Sequence, residues 1–480
     1  MTTTRRPNIV VLMADDHRGT EMSHLPYGQP QTPALDALAA RGVSFDGAHC
    51  QGSMIRAVCV PSRATLMTGR SIFASSCDPS GGDFQRAITI PPELETFPQA
   101  LRRAGYRTHA VGKWHNDTAT FQRAFSSGDA LMFLGMSDHY QVPAWSYDPN
   151  GEYAGANAWN FDEPHTEADT AGDYQIREGF SSDIFADAAI DYLGQDHGDD
   201  PFLMYVAFTA PHDPRTPPPG WEVDPASIEL PPNILPEHPF DNGEMQVRDE
   251  LLAAFPRSEA EIRQHIADYY GMIAHLDHSI GRIVDAIEAN GLTEDTVVIY
   301  TGDHGLAVGQ HGLMGKQNLY EHSLRVPLVI AGPGVPATGV AHGLCWHADT
   351  TATIYALAGL PPNRSAEGSP LIDGNGDLTE GRQSLAAAYE YSQRSFRDTR
   401  HKLIRYREVP NGVPNPGTTP GTDTVQLFDL DHDPWEMTNI AEDPANADIL
   451  ERLNNELLRW QHDSDDPQLA YTSEESRAIS

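Results

Sequence analysis

Short, uninterrupted runs of apolar residues recur along this chain, and longer segments with helical periodicity lie between them. Runs of this length without polar alternation are typical of parallel strands that are buried on both faces. The runs cover residues 8–14, 202–208 and 296–300, and further strands are predicted at 108–111 and 326–331. Apolar positions spaced three to four residues apart predict helices over residues 33–41, 96–104, 182–193 and 259–289.

Strands that alternate with helices predict an α/β fold with a large, mostly parallel sheet sandwiched by helices. The stretch 116–180 has poor periodicity, and we interpret it as an insertion over the top of this sheet. A Pro- and Gly-rich stretch at 359–381 indicates a domain boundary. We therefore expect a main domain over residues 1–370 and a small α+β subdomain over 371–480. The subdomain would contain an antiparallel sheet, with strands at 384–391, 402–407 and 425–430, and a helix at 446–460.

Four of the predicted strands of the main sheet end in charged or imidazole side chains. The residues are Asp15 and Asp16, then Lys113 and His115, then His212, and finally Asp303 and His304. Ligand sites in open α/β sheets lie at the carboxyl ends of strands, so we expect these side chains to converge. Carboxylates from separate strand ends repel one another unless a cation lies between them. Carboxylates suit Ca²⁺ or Mg²⁺, whereas an imidazole ligand favours Mn²⁺.

The stretch 53–70 is a second candidate for chemistry. Pro61 suits the first turn of a helix, and Gly69 suits its C-terminal end. Cys59 is therefore expected just before a helix N-terminus, where free N–H groups favour negative charge, and Arg63 follows one turn later. The pattern predicts an anion site, although a structural cysteine before a capped helix would look the same.

Two stretches of the chain resemble a known family. The sequence Cys-Val-Pro-Ser-Arg at 59–63, continued by Ala-Thr-Leu-Met-Thr-Gly-Arg, is similar to the signature of the type I sulfatases of the alkaline phosphatase superfamily. The stretch 105–115, Gly-Tyr-Arg-Thr-His-Ala-Val-Gly-Lys-Trp-His, is similar to the second signature of that family. The resemblance implies an alkaline-phosphatase-like fold and a hydrolase that releases inorganic sulfate from an organic sulfate monoester, most often a carbohydrate sulfate.

The resemblance also implies a maturation step and a set of roles. In the family a formylglycine-generating enzyme oxidises the cysteine that matches Cys59 to formylglycine, and the hydrated aldehyde is the nucleophile. One divalent cation, usually Ca²⁺, is held at positions that match Asp15, Asp16, Cys59, Asp303 and His304. The implied roles of the other matching residues are sulfate binding by Arg63, Lys113 and Lys316, contact with the formylglycine hydroxyl by His115, and protonation of the leaving oxygen by His212, with Lys316.

One departure from the family pattern leaves other substrates open. Some members have Asn where this chain has His304, and the His form also occurs in related phosphonate monoester and phosphodiester hydrolases. An aryl or alkyl sulfatase is a further alternative. A non-catalytic anion-binding protein, in which Cys59 stays a thiol, is the alternative from a different class.

Composition narrows the range of partners. The 480 residues include 32 Lys and Arg against 68 Asp and Glu, a formal charge of −36. Such a surface repels nucleic acid and anionic membranes, so neither is an expected partner, and a small anionic sulfate ester would need local cations. The four cysteines lack metal-ligand or disulfide spacing. The sequence contains no signal-like or membrane-spanning run, so a cytoplasmic location is the default expectation, with a periplasmic or secreted location still open.

Several aromatic and histidine residues remain ambiguous. His139, Trp145 and His165 in the insertion could line a substrate pocket or serve packing, and the insertion also carries Tyr140 and Trp159. We interpret His275 and His278 in the long helical segment as structural, together with Cys50, Cys77 and Cys345. The oligomeric state cannot be inferred from these patterns.

Overall fold

The computed structural model describes residues 6–156 and 173–471. The strands are β1 (Asn8–Ala14), β2 (Gly42–His49), β3 (Gly52–Ser53), β4 (Arg107–Lys113), β5 (Ser127–Met132), β6 (Gln141–Ala144), β7 (Gln175–Glu178), β8 (Phe202–Ala207), β9 (Thr296–Gly302), β10 (Leu328–Ala331), β11 (Gly339–Trp346), β12 (Ser384–Tyr389), β13 (Gln393–Asp398), β14 (His401–Tyr406) and β15 (Thr424–Asp429). The α-helices are α1 (Pro33–Ala40), α2 (Cys59–Thr68), α3 (Phe84–Ala87), α4 (Phe97–Arg103), α5 (Thr118–Ala124), α6 (Ser181–Leu193), α7 (Glu259–Ala289), α8 (Glu321–Leu324), α9 (His347–Leu357) and α10 (Ala447–Asp463). Short 3₁₀ helices lie at Pro225–Ser227, Arg248–Leu252, Thr293–Asp295, Pro444–Asn446 and Pro467–Ala470.

The main sheet has eight strands in the order β11-β2-β10-β9-β1-β8-β4-β5. Every neighbouring pair is parallel except those of β10, which runs antiparallel to both β2 and β9. All seven residues of β1 are buried, because the strand is paired on both edges and covered on both faces. Its continuous apolar run therefore matches its central position, and the predicted mostly parallel α/β sheet is confirmed.

Helices form two layers over the main sheet. Helix α7 contacts both α1 and α6, and α2, α4, α5 and α9 form the other set of contacts. The longest helix, α7, has 31 residues, and Ser258 caps it by accepting a hydrogen bond from the backbone N–H of Glu261 at 3.2 Å. The predicted bounds of this helix are confirmed, since a side-chain cap and the Asn290-Gly291 stop fix both ends.

A second sheet contains β15, β14, β13, β12 and β3 in that order. Strands β12 to β15 are antiparallel to their neighbours, and the two-residue strand β3 adds to β12 in parallel. Helix α10 packs on β13 and β14, with Leu453 and Leu457 fully buried. The small antiparallel sheet is confirmed. The exact division between residues 370 and 371 stays a prediction.

The interpretation of 116–180 as an insertion above the sheet was only partly right. This stretch contributes α5 and then β5, which is the edge strand of the main sheet beside β4. In the described part of this stretch, β6 and β7 pair with each other in a separate two-stranded antiparallel sheet. Trp145 is a core residue with 1% exposure. Trp159 and His165 lie outside the described residues.

The described chain offers no candidate for a membrane span. Within residues 6–156 and 173–471, none of the helices combines the length and the apolarity that crossing a bilayer requires. All four cysteines are free thiols, and Cys50, Cys59 and Cys345 are buried.

Candidate active site

The carboxyl edge of the main sheet brings together the side chains that follow its four central strands. Strands β9, β1, β8 and β4 are successive neighbours, so the residues after them lie side by side. These residues are Asp15 and Asp16 after β1, Lys113 and His115 from β4, His212 after β8, and Asp303 and His304 after β9. None of the seven is more than 6% exposed. The site is therefore a buried polar cluster at the end of an apolar sheet.

Cys59 is the first residue of α2, which ends at Thr68 with Gly69 in the left-handed region at φ 70°. We expected Cys59 just before the helix, but Val58 is the N-cap and Pro61 is the third helical residue. Every residue of α2 is buried. The side chain at position 59 is therefore held in the first turn, where backbone N–H groups lack intrahelical partners.

Two overlapping groups of donor atoms at this edge could hold a cation. One group comprises Asp15, Cys59, Asp303 and His304, and the other comprises Asp15, Asp16 and His212; within each group the donor atoms lie within 4.8 Å of one another. Asp15 Oδ1 and His304 Nε2 are buried and have no hydrogen-bond partner among the described residues. Unsatisfied buried groups are costly, and a cation between them would satisfy both. The donor set fits a divalent cation with oxygen and imidazole ligands.

The charges of this cluster are strongly coupled. Burial and the negative charge of Asp15 raise the pKa of Asp303 to about 6. Burial would also raise the pKa of Asp15, but the ammonium of Lys113, which donates a hydrogen bond to Asp15 Oδ2, helps to hold it well below its usual value. Burial lowers the pKa of His304, but Asp303 outweighs this and the pKa rises to about 9. The negative charge of the acids therefore favours the protonated, positively charged form of His304.

Arg63 directs its guanidinium at the acids of the cluster. Its Nε donates to Asp303 Oδ2 at 3.0 Å, and its Nη2 donates to Asp15 Oδ2 at 3.4 Å. Its Nη1 donates to the backbone carbonyl of Lys113 at 2.7 Å. With 1% of its surface exposed, Arg63 neutralises two candidate metal ligands and fixes the end of β4.

The thiol of Cys59 lies among cationic and imidazole groups. Lys113 Nζ is 3.7 Å from Cys59 Sγ, and the imidazole of His115 interacts electrostatically with the same side chain. Burial would raise the pKa of the Cys59 thiol, but the charges of Lys113 and Lys316 outweigh it and lower that pKa well below its usual value. Burial and Lys113 together lower the pKa of His115 to about 4. His115 has a left-handed backbone with φ 57°, a conformation that is uncommon for a residue with a side chain and is often found at functional sites.

Lys316 and His212 approach the same carboxylate. Lys316 Nζ donates to Asp16 Oδ1 at 2.8 Å, and His212 Nε2 lies 4.0 Å from Asp16 Oδ2. His212 Nδ1 donates to the backbone carbonyl of Asp213 at 2.8 Å, which leaves Nε2 facing Asp16. The ammonium of Lys316 and the imidazole of His212 therefore meet on one side of the cluster.

Two further histidines support this arrangement, and no sequence pattern points to the role of either. His139 donates from Nε2 to the backbone carbonyl of His212 at 2.9 Å. The alternative of structural packing therefore describes His139 better than a pocket wall does. His347, which begins α9, donates from Nε2 to the carbonyl of Gly302 at 2.9 Å, and its Nδ1 lies 3.2 Å from Ser62 Oγ. It joins the end of β9 to α2.

Comparison with known proteins identifies the family. The sulfatase profile matches residues 7–360, and a profile described as N-sulphoglucosamine sulphohydrolase, C-terminal, matches residues 309–463. An N-acetylglucosamine-6-O-sulfatase of Bacteroides thetaiotaomicron is 25% identical to this chain, with 96% of this chain and 88% of the relative covered. A choline-sulfatase of Rhizobium meliloti is 27% identical, with 92% and 84% covered. The crystal structure of the phosphonate monoester hydrolase of Agrobacterium radiobacter shares the fold, with a TM-score of 0.70, 22% identity and 98% of each chain covered.

The sheet topology, with acids, lysines and histidines gathered at its carboxyl edge, is a fold that this chain shares with solved structures of a sulfatase-like protein and of the phosphonate monoester hydrolase. The sulfatase profile spans well over half of the 480 residues, so this chain belongs to the sulfatase family. The predicted family and the predicted class of enzyme, a sulfuric ester hydrolase, are confirmed.

We predict that Ca²⁺ or Mn²⁺ raises the thermal unfolding midpoint of chelator-treated protein and that Asp303→Asn removes this shift. A ligand at about 100 times its dissociation constant stabilises the folded state by about 2.7 kcal/mol. Asp187→Asn is the matched control, because Asp187 belongs to an exposed ion pair with Arg282. An equal shift in the Asp303 variant and the control would mean that the cation binds elsewhere.

Proposed function

We propose that this sulfatase releases inorganic sulfate from a carbohydrate sulfate, with a formylglycine made from Cys59 as its nucleophile. The observation that carries the proposal is the position of Cys59, buried in the first turn of α2 and 3.7 Å from the ammonium of Lys113. A formylglycine-generating enzyme is then a required partner for maturation. The sequence around Cys59 supports that step, because it matches the family signature.

The sulfate group is held by cations that lie around position 59. Lys113 and Lys316 are buried, and their positive charges act directly on the residue 59 side chain. Backbone N–H groups in the first turn of α2 add further donors for sulfate oxygens. Arg63 contributes by neutralising Asp15 and Asp303, since its guanidinium is committed to these carboxylates. Without Arg63 the acids would repel an anionic substrate.

The modified residue and the cation supply chemistry that the twenty ordinary side chains lack. The hydrate of formylglycine provides one hydroxyl that attacks sulfur and a second that can expel sulfate, which a thiol or a serine cannot do. His115 lies close enough to act electrostatically on residue 59 and is suited to take the proton of that second hydroxyl.

The candidate metal ligands are Asp15, Asp16, Asp303 and His304, together with residue 59. A divalent cation held there would supply Lewis-acid polarisation of the nucleophile and of the sulfate oxygens. Three carboxylates favour Ca²⁺, which is the cation that we propose, and Mg²⁺ is a second possibility. The imidazole of His304 also suits Mn²⁺.

His212 and Lys316 are suited to protonate the departing alcohol. Both side chains approach Asp16, so they flank the same side of the cluster. His139 holds the backbone at His212, and Asp213 engages its Nδ1, so that Nε2 faces the site. An oriented imidazole beside an ammonium is the arrangement that general acid catalysis requires.

The substrate class is proposed from the relatives. The N-acetylglucosamine-6-O-sulfatase relative covers 96% of this chain and favours a sulfated sugar. The choline-sulfatase relative keeps an alkyl sulfate as the alternative, and an aryl sulfate is a third candidate. A phosphonate monoester or phosphodiester is favoured by one observation, the histidine at position 304, which lies within the metal cluster.

We predict that Cys59→Ala lowers kcat/KM for sulfate esters by at least about 10³-fold, because loss of a nucleophile has effects of this size. Cys77→Ala is the matched control, since Cys77 is a half-buried free thiol outside the cluster. Mass spectrometry of the peptide that contains residue 59 should show aldehyde in place of thiol in active protein. Full activity in Cys59→Ala, or an unmodified thiol in active protein, would contradict the proposed nucleophile.

We predict that sulfated monosaccharides or disaccharides are better substrates than aryl sulfates, choline sulfate, phosphonate monoesters and phosphodiesters when all are assayed side by side. The measurement is kcat/KM for each compound, because this ratio reports discrimination between competing substrates. A phosphonate or phosphodiester that exceeds every sulfate ester by tenfold or more would support the second candidate instead.

A further inference from the structure

The short 3₁₀ helix at Arg248–Leu252 contacts both turns that carry the proposed leaving-group acids. Its first three residues, Arg248, Asp249 and Glu250, are charged, and the two acids are only 6% and 3% exposed. Each of the three side chains binds a different part of these turns. Buried acids next to an active site need a specific reason to be there, because burying charge is costly unless it is paired.

On one side, Arg248 binds the turn that carries His212. Its Nη1 and Nη2 donate to the two carboxylate oxygens of Asp213 at 2.7 and 3.0 Å. Asp213 directly follows His212, and its Oδ1 lies 3.3 Å from His212 Nδ1. The same guanidinium donates to Asp249 Oδ1 from Nη2 at 2.7 Å and from Nε at 3.1 Å. Arg248 therefore links Asp249 to the His212 turn.

On the other side, Asp249 binds the turn that carries Lys316. Its Oδ2 accepts a hydrogen bond from Gln317 Nε2 at 2.9 Å. Gln317 Oε1 in turn accepts from the backbone N–H of Lys316 at 3.0 Å. Gln317 is 3% exposed, so both of these bonds lie inside the protein. One carboxylate thus connects the backbone of Lys316 to the turn of His212.

The Lys316 turn lies directly against the 3₁₀ helix. The carboxylate of Glu250 accepts from the backbone N–H groups of Met314 and Gly315 at 2.9 and 3.0 Å. A Cβ added at Gly315 would lie 2.4 Å from Gln317 Oε1 and 2.9 Å from Asp249 Cβ. Only glycine permits this close approach, which brings Gln317 and Asp249 within hydrogen-bonding distance.

We propose that Asp249 is a positioning residue that sets the distance between Lys316 and His212 through Gln317 on one side and Arg248 on the other. The inference rests on the proposed function, in which His212 and Lys316 serve the same leaving oxygen. Both groups must meet a single atom, and small displacements of such groups can cost on the order of 10²-fold in rate. The carboxylate of Asp249 couples two turns that come from distant parts of the chain.

The test exchanges donor and acceptor across the Asp249–Gln317 hydrogen bond. Asp249→Asn turns one acceptor oxygen into an N–H₂ donor, which must face either the N–H₂ of Gln317 or the guanidinium of Arg248, so one of the two links is lost. Gln317 can turn over only by losing its bond from the Lys316 backbone. Gln317→Glu sets two carboxylates against each other. The double variant Asp249→Asn/Gln317→Glu restores one donor and one acceptor, with the total charge unchanged. Glu259→Gln is the control, because Glu259 lies in an exposed ion pair with Arg263.

The readout is the dependence of kcat/KM on the leaving group, measured with para-nitrophenyl sulfate, phenyl sulfate and a sugar sulfate. Protonation of the leaving oxygen matters most for poor leaving groups, and general acids contribute about 10²–10⁴-fold. We expect each single variant to lose about 10–100-fold on the poor leaving groups and less than about threefold on para-nitrophenyl sulfate. The double variant should recover most of the loss, and the control should match wild type.

The outcomes separate this inference from the proposed function. Absence of sulfate release by the mature wild type would contradict the proposed function itself. If the wild type is active, equal losses on all three substrates, or no rescue in a double variant that unfolds at the wild-type temperature, would overturn the role of Asp249. If a single variant does not fold, Gln317→Met is measured in its place against the same three substrates. It removes the bonds of the Gln317 side chain to Asp249, to the Lys316 backbone N–H and to the Arg56 carbonyl. An unchanged leaving-group dependence would overturn the inference.

Discussion

The confinement of several carboxylates at one buried edge of a sheet is the constraint on which the rest of this structure depends. Asp15 and Asp303 follow adjacent strands, and neither is measurably exposed. Negative charges that are buried so close together are stable only if positive charge surrounds them. Arg63 and Lys113 bring that charge from α2 and β4, and Lys316 brings it from a turn after β9. The same cations make the site suitable for a sulfate group, because their charge reaches beyond the acids to position 59.

Much of the fold could be predicted because burial imposes a simple pattern on the central strands. Strand β1 is an unbroken apolar run, and α7 has a helical period with a stop signal at each end. Strands β2 and β11 were not predicted, because glycine, polar and half-buried residues interrupt their apolar pattern. The antiparallel direction of β10 could not be predicted from the local sequence pattern either, since contacts between distant segments decide the direction of strand pairing. Strand β5 was not predicted for the same reason, because only its pairing with β4 places it at the edge of the sheet.

The residues that form the candidate site could be predicted from the sequence, but only some of the contacts between them could. Four strand ends pointed to one edge, and the sheet order explains why, since β9, β1, β8 and β4 are successive neighbours. Arg63 could be placed one turn after Cys59, but its pairing with Asp303 across 240 residues of sequence is a tertiary fact. His139 and Gln317 lie in irregular segments and Asp249 lies in a short 3₁₀ helix, and none of these segments has a spacing signal. Their importance becomes visible only when the turns that they hold are in place.

The proposed mechanism requires a cation that is bound both by the acids after β1 and β9 and by the side chain at position 59. The most direct measurement is anomalous X-ray diffraction from crystals of the mature protein grown with Ca²⁺. We expect one strong anomalous peak, from a Ca²⁺ ion that lies about 2.3–2.6 Å from ligand atoms of Asp15, Asp303 and residue 59. A peak elsewhere on the protein, or a lysine ammonium at this position with the acids still paired to it, would contradict the account.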